Sequence, residues 1–176
     1  AAFLFLFCCW SVGASAPAFS QIDETRVRAI QSAFLLQFSK YVTWPDASFI
    51  SDDAPIVIGV LGRDPFGSVL DNNARAFNAS GRLLEIRRIS GLDEIDGVHI
   101  LYVSPLSSVE GSELSSIAAA SSIFLVGNAP GFLEFGAVNF ILRDKKVRFD
   151  INRGNYKHAN LRVSSKLLSV ANRVVE

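Results

Sequence analysis

Two apolar runs near the C-terminus, AVNFIL (137–142) and VRFDIN (147–152), are separated only by Arg143, Asp144, Lys145 and Lys146. Both alternate with a period of two, the pattern of half-buried strands. The gap is too short for the helical crossover a parallel pair needs, so the two runs are expected to close as an antiparallel hairpin. If Asp144 and Lys145 form the turn, Asn139 pairs with Asp150 and Ile141 with Arg148. Val138, Phe140, Leu142, Val147, Phe149 and Ile151 then share one face, while Asn139, Arg148, Asp150 and Asn152 share the other.

The rest of the chain must supply the layers that cover this hairpin. Between residues 22 and 42, Val27, Ile30, Phe34, Phe38 and Tyr41 recur every three or four positions, behind Asp23 and Glu24, which favour a helix N-terminus. An amphipathic helix is expected there, stopped at Trp44 and Pro45 because a residue before proline is pushed out of the helical region. IVIGVLG (56–62), RLLEIRRI (82–89), VHILYVSP (98–105) and SIFLVG (122–127) read as strands, with helical patterns at 65–77 and 108–119. A last helix is expected to begin at Ser164 or Ser165, either able to cap it, and to bury Leu167, Leu168, Ala171 and Val174. Strands alternating with helices predict an α/β fold. The expectation is a single-domain mixed sheet with helices packed on it, an N-terminal amphipathic helix, and a C-terminal antiparallel hairpin followed by a helix.

Residues 1–18, AAFLFLFCCWSVGASAPA, carry no charge and end in small residues, with Ala16 and Ala18 at the spacing of an A-x-A cleavage site. This is the pattern of an export signal, which predicts a mature domain over residues 19–176. The apolar run is too short to cross a bilayer, so no membrane span is expected after its removal. Cys8 and Cys9, the two cysteines of the chain, fall inside it, so the mature domain is expected to rely on its core rather than on disulfides.

Several chemistries lack their residues. The chain balances 17 basic against 17 acidic residues, leaving no electrostatic footprint for a nucleic-acid partner. GVLGRDPFGS places Gly62 and Gly67 at phosphate-loop spacing, but Ser68 and Val69 stand where the lysine and the hydroxyl residue belong, so a tight strand-to-helix turn is the better reading. The two histidines, His99 in an apolar run and His158 in a polar turn, do not form a zinc-binding spacing. Asp93, Glu94 and Asp96 read as a solvated turn, and a G-x-S-x-G nucleophile elbow is absent. Neither a catalytic set nor a cofactor or metal site is expected; the chain is predicted to act as a binding protein, not an enzyme.

The order and spacing of FSKYVTWP (38–45), IGVLGRDPFG (58–67), GVHILYVS (97–104), VNFILRDKKVRFDIN (138–152) and LRVSSKLLSVA (161–171) resemble the YfiR-like family of small bacterial periplasmic proteins. Relatives often carry Gly-Gly where this chain has Phe135-Gly136, Glu in place of Asp150, and in some cases a cysteine near Val98. The resemblance implies a periplasmic negative regulator in a Gram-negative bacterium that sequesters the sensory domain of an inner-membrane diguanylate cyclase and represses cyclic-di-GMP synthesis and biofilm formation. It also brings in an outer-membrane lipoprotein that relieves repression, and it is compatible with a homodimer. The alternative is a periplasmic sensor of a small ligand such as an amino acid or nucleotide. Trp44, Asn139, Arg148, Asp150, Arg162, Ser164 and Lys166 are the candidate binding residues. Asp150 and Arg162 in particular could hold the amine and carboxylate of a zwitterion, or could pair with each other to orient the last helix. Trp44, with Phe132, Leu133 and Phe135, supplies the aromatic and apolar groups best placed to reach a surface, although core packing is the better reading for most of them.

Overall fold

Continuous apolar strands need cover on both faces, and the fold supplies it. The structure, a computed structural model, describes residues 23–77, 81–105 and 107–176. The expected export signal at 1–18 lies outside the described residues. The chain runs α1 (Glu24–Tyr41), β1 (Val42–Thr43), β2 (Ile56–Leu61), α2 (Ser68–Arg75), β3 (Leu84–Ile89), β4 (Ile100–Val103), α3 (Gly111–Ser121) and β5 (Phe124–Gly127). It continues through β6 (Val138–Arg143), β7 (Lys146–Asn152), α4 (Arg153–His158), β8 (Arg162–Val163), α5 (Ser165–Val170) and β9 (Arg173–Val175).

The main sheet has seven strands in the order β3-β2-β4-β5-β6-β7-β9. β3, β2, β4, β5 and β6 are parallel, β7 returns antiparallel to β6, and β9 lies parallel to β7. Successive residues of β2, β4 and β5 feed two separate cores. Ile58, Val60, Ile100, Tyr102, Phe124 and Val126 pack with α1 and α2 on one face, while Val57, Leu61, Leu101, Val103 and Leu125 pack with Leu114 and Ala118 of α3 on the other. This three-layer arrangement is the mixed α/β sheet expected from the sequence.

The hairpin register agrees with expectation, with Asn139 opposite Asp150 and Ile141 opposite Arg148. Asp144 and Lys145 both have positive φ, 51° and 59°, as the central pair of a type I′ turn requires. Val138, Phe140, Val147, Phe149 and Ile151 are buried; Leu142, on the same face but beside the turn, is exposed. Gly62 and Gly67 adopt left-handed φ values of 83° and 54° at the strand-to-helix turn, which explains their place there without a phosphate.

The apolar face expected of α1 packs on the first core, Phe38 fully buried and Val27, Ile30, Phe34 and Tyr41 partly buried beside Leu35 and Leu36. Two expectations need correction. The last helix is shorter than its pattern: it ends at Val170, and Val174 continues in β9, where it pairs with Ile151. The polar turn around His158 is in fact α4, capped by the Asn152 side chain on the Asn155 N–H and anchored by a buried Tyr156.

Candidate functional site

The segment 44–55 crosses the edge of the sheet where the parallel strands begin, and a set of side chains clasps it there. Trp44, a candidate for either the surface or the core, is only 6 % exposed. Its indole N–H donates to the His99 carbonyl at 3.1 Å, so the ring is held inward. His99, 4 % exposed, bridges two elements: its Nδ1 accepts the Val57 N–H at 3.1 Å, so Nε2 carries the proton and donates to the Ser48 carbonyl at 3.0 Å. The Phe49 ring stacks on the imidazole with centroids 4.5 Å apart, and the Arg82 guanidinium lies 3.9 Å from the same Phe49 ring. Arg82 also donates to the carbonyls of Ser51 and Ala54, at 3.1 and 2.6 Å. Burial holds the His99 pKa below its usual 6.5, opposed by the Ser48 carbonyl and aided by the positive charges of Arg82 and Arg87.

Held this firmly, the segment nevertheless presents Ile50 as a fully exposed side chain, 100 % accessible. Leu83, also exposed, sits next to the start of β2, its carbonyl accepting the Ile56 N–H. Clefts flank the segment. One of about 430 Å³ runs from Pro45 past Phe49 and Ile50 to Gly97 and Ser122, and one of about 170 Å³ lies between Phe49, Pro55, Glu85, Arg87 and His99. A third, of about 470 Å³, opens beside Trp44 and is lined by Thr43, Lys157, Asn160 and Arg162.

The other sequence candidates do not converge on one point. Asp150, 5 % exposed, accepts from Asn172 Nδ2 at 2.6 Å and pairs with Arg173 at 3.0 Å. It therefore ties β7 to β9, and its ion pair is not with Arg162, which lies in β8 opposite Thr43. The reason is the unforeseen β9, which brings Arg173 into register beside Asp150. Asn139 faces Asp150 across the hairpin with its Oδ1 buried and unpartnered, and Arg148 is exposed on the same strand pair. Ser164 caps α5 through the Lys166 N–H, while the Lys166 side chain is exposed. Phe132 is buried in the second core and Phe135 packs against it, so core packing, the better reading for most of this run, accounts for both.

Sequence reasoning missed the clasp residues Phe49, Arg82 and Ile50, because nothing in their spacing marks contacts across about thirty residues of chain. His99 was the exception: an isolated histidine in an apolar run pointed to a buried, hydrogen-bonded ring, and the structure has one. Among the described residues, there is no group of three or more His, Cys, Asp or Glu side chains able to hold a metal ion. Among those residues, too, no helix is long and apolar enough to cross a membrane.

No curated protein matches the chain. A family model described as YfiR/HmsC-like matches residues 28–172, from the second turn of α1 to the residue before β9. With well over half of its length matched, the chain belongs to the YfiR/HmsC-like family.

Proposed function

We propose that this chain is an exported periplasmic regulator that binds the sensory domain of an inner-membrane diguanylate cyclase and thereby represses cyclic-di-GMP synthesis. The observation that carries this reading is the family match across residues 28–172. The uncharged leader at 1–18, with its Ala16 and Ala18 spacing, supports export to the periplasm. An outer-membrane lipoprotein that competes for the regulator is the matching release partner, and the function needs no reaction by the chain itself.

The surface best suited to docking is the edge around Ile50. A fully exposed isoleucine on a segment pinned by Trp44, His99 and Arg82 is pre-ordered, so a partner that covers it has little loop entropy to overcome. The clefts that Ile50 lines provide recesses in which interface anchors sit, and Leu83, beside the start of β2, is a second exposed apolar side chain. Ile50→Asp is expected to leave thermal stability unchanged, because the side chain makes no buried contact, and to weaken capture of the cyclase from solubilised host membranes by about tenfold or more. Equal capture by the variant would move the docking surface elsewhere, and absence of any cyclase with the wild-type chain would remove the proposed partner.

A further inference from the structure

We propose that the tip of the β6-β7 hairpin docks on an anionic phospholipid bilayer, with Leu142 entering the headgroup layer and the surrounding cations meeting phosphates. β6 ends at Arg143 and β7 begins at Lys146. Asp144 and Lys145 between them are fixed at positive φ, so the tip is a tight turn and not a loose loop. Leu142, Arg143, Lys145 and Lys146 are all exposed. Leu142 is 46 % exposed, although its neighbours on the same face, Phe140 and Val147, are buried. A large apolar side chain set among cations suits the bilayer interface, which offers hydrocarbon to the one and phosphate to the others. The tip lies where β6 finishes, away from the Ile50 segment beside the starts of the parallel strands, so lipid contact leaves that segment free.

The arrangement of charge carries the proposal further. Arg143 and Lys146 are direct cross-strand partners. Like charges so placed repel and weaken a hairpin, and a tip shaped by stability alone would carry opposite signs there. Arg148 follows two residues along β7 on the same face, and it is exposed. Arg26, in the first turn of α1 where a cation opposes the helix dipole, joins Lys145 and Lys146 in lining a cleft of about 420 Å³ between α1 and the turn. Five cations thus gather at this end of the sheet against two carboxylates, Asp23 and Asp144. Arg28, Arg87, Arg88, Arg153 and Arg173 all meet acids elsewhere, whereas among the described residues none of these seven groups is in an ion pair. Arg143 donates to the neutral Asn172 side chain and keeps its charge uncompensated. Because the chain as a whole balances 17 basic against 17 acidic residues, the excess is a polarity of the molecule and not general basicity. An anionic surface relieves the repulsion at the tip and orients the molecule by it.

The proposal does not depend on which protein the regulator binds, and its test contains no cyclase. The exported chain, beginning at Phe19 by the expected cleavage so that the apolar leader plays no part, is sedimented with phosphatidylglycerol vesicles and with phosphatidylcholine vesicles. Binding to the first and not to the second is expected, and it should fall as salt is raised, since the cations are solvent-accessible. Lys145→Asn, which keeps a residue that tolerates positive φ, and Lys146→Gln should each weaken binding about fivefold. Leu142→Ser should weaken it without changing the salt dependence, and Arg75→Gln, an exposed arginine on α2, should leave it unaltered. Because the replaced side chains are exposed, circular dichroism of the variants should match wild type. Equal sedimentation with both kinds of vesicle, or phosphatidylglycerol binding unchanged in the Lys145→Asn/Lys146→Gln double variant, would overturn the proposal. So would a chain that stays in solution with phosphatidylglycerol vesicles but is retained on immobilised polyglutamate through the same lysines, the result expected of a tip that takes an acidic protein segment instead.

Discussion

Replacing Phe38 by alanine is expected to destabilise the fold by about 3–5 kcal/mol, a large part of the roughly 5–15 kcal/mol that holds a domain of this kind together. Phe38 is completely buried at the point where α1 meets the sheet. Its ring stacks on Phe140 at 5.9 Å and on Phe34 at 6.3 Å, and meets Phe124 and Phe149 edge to face at 5.8 and 5.4 Å. One side chain thus links the N-terminal helix to β5, β6 and β7, and truncation removes apolar burial and four aromatic contacts together. The surrounding rings are too rigid to collapse into the space, so the cavity cost is added to the transfer cost. Urea unfolding followed by far-ultraviolet dichroism measures the effect. A change of no more than about 0.5 kcal/mol, the scale of surface substitutions, would mean that α1 is not seated on the hairpin as described.

The second large effect concerns acid. His99 Nδ1 accepts the Val57 N–H, a role that only the neutral ring can fill, and burial together with Arg82 and Arg87 keeps the folded-state pKa below 6.5. The unfolded chain takes up this proton near 6.5, so below that pH it binds more protons than the folded chain. The contribution of His99 to stability is therefore fully present above about pH 6.5 and is lost progressively as pH falls through 6.5 towards the folded-state value. Glu85, which lines the same small cleft, is ion-paired with Arg87, and the charges that act on the ring are the positive ones of Arg82 and Arg87, which disfavour its charged form. His99→Leu is expected to cost about 1–3 kcal/mol at neutral pH, because the Val57 N–H is left buried without an acceptor, and to flatten the pH dependence between neutral pH and about pH 5. Thermal unfolding of both proteins across that range provides the measurement, and an equally steep acid loss in the variant would assign it to other groups.

How much of this was legible from the residues depended on the range of the contacts involved. The hairpin register followed from a period-two pattern and a gap too short to cross, both local facts, and the parallel strands followed from apolar runs such as residues 56–62 and 98–105. The α4 helix carried a local signal as well, an Asn152 cap three residues before Asn155, although its short length and single buried residue, Tyr156, gave no periodicity to read. β9 was not legible: three residues, Arg173 to Val175, fit the end of an amphipathic helix equally well, and only packing against β7 decides. That one element also determined the fate of a candidate site, since it gives Asp150 to Arg173 and leaves Arg162 to the cleft beside Trp44. The inward turn of Trp44 was equally hidden, because it depends on a carbonyl fifty-five residues away.

If the chain restrains a diguanylate cyclase, cellular cyclic-di-GMP must respond to its loss. Deleting the gene in its host is expected to raise the nucleotide's level, and supplying the wild-type chain should restore it while supplying Ile50→Asp should not. An unchanged level after deletion, with no cyclase captured by the wild-type chain, would contradict the claim.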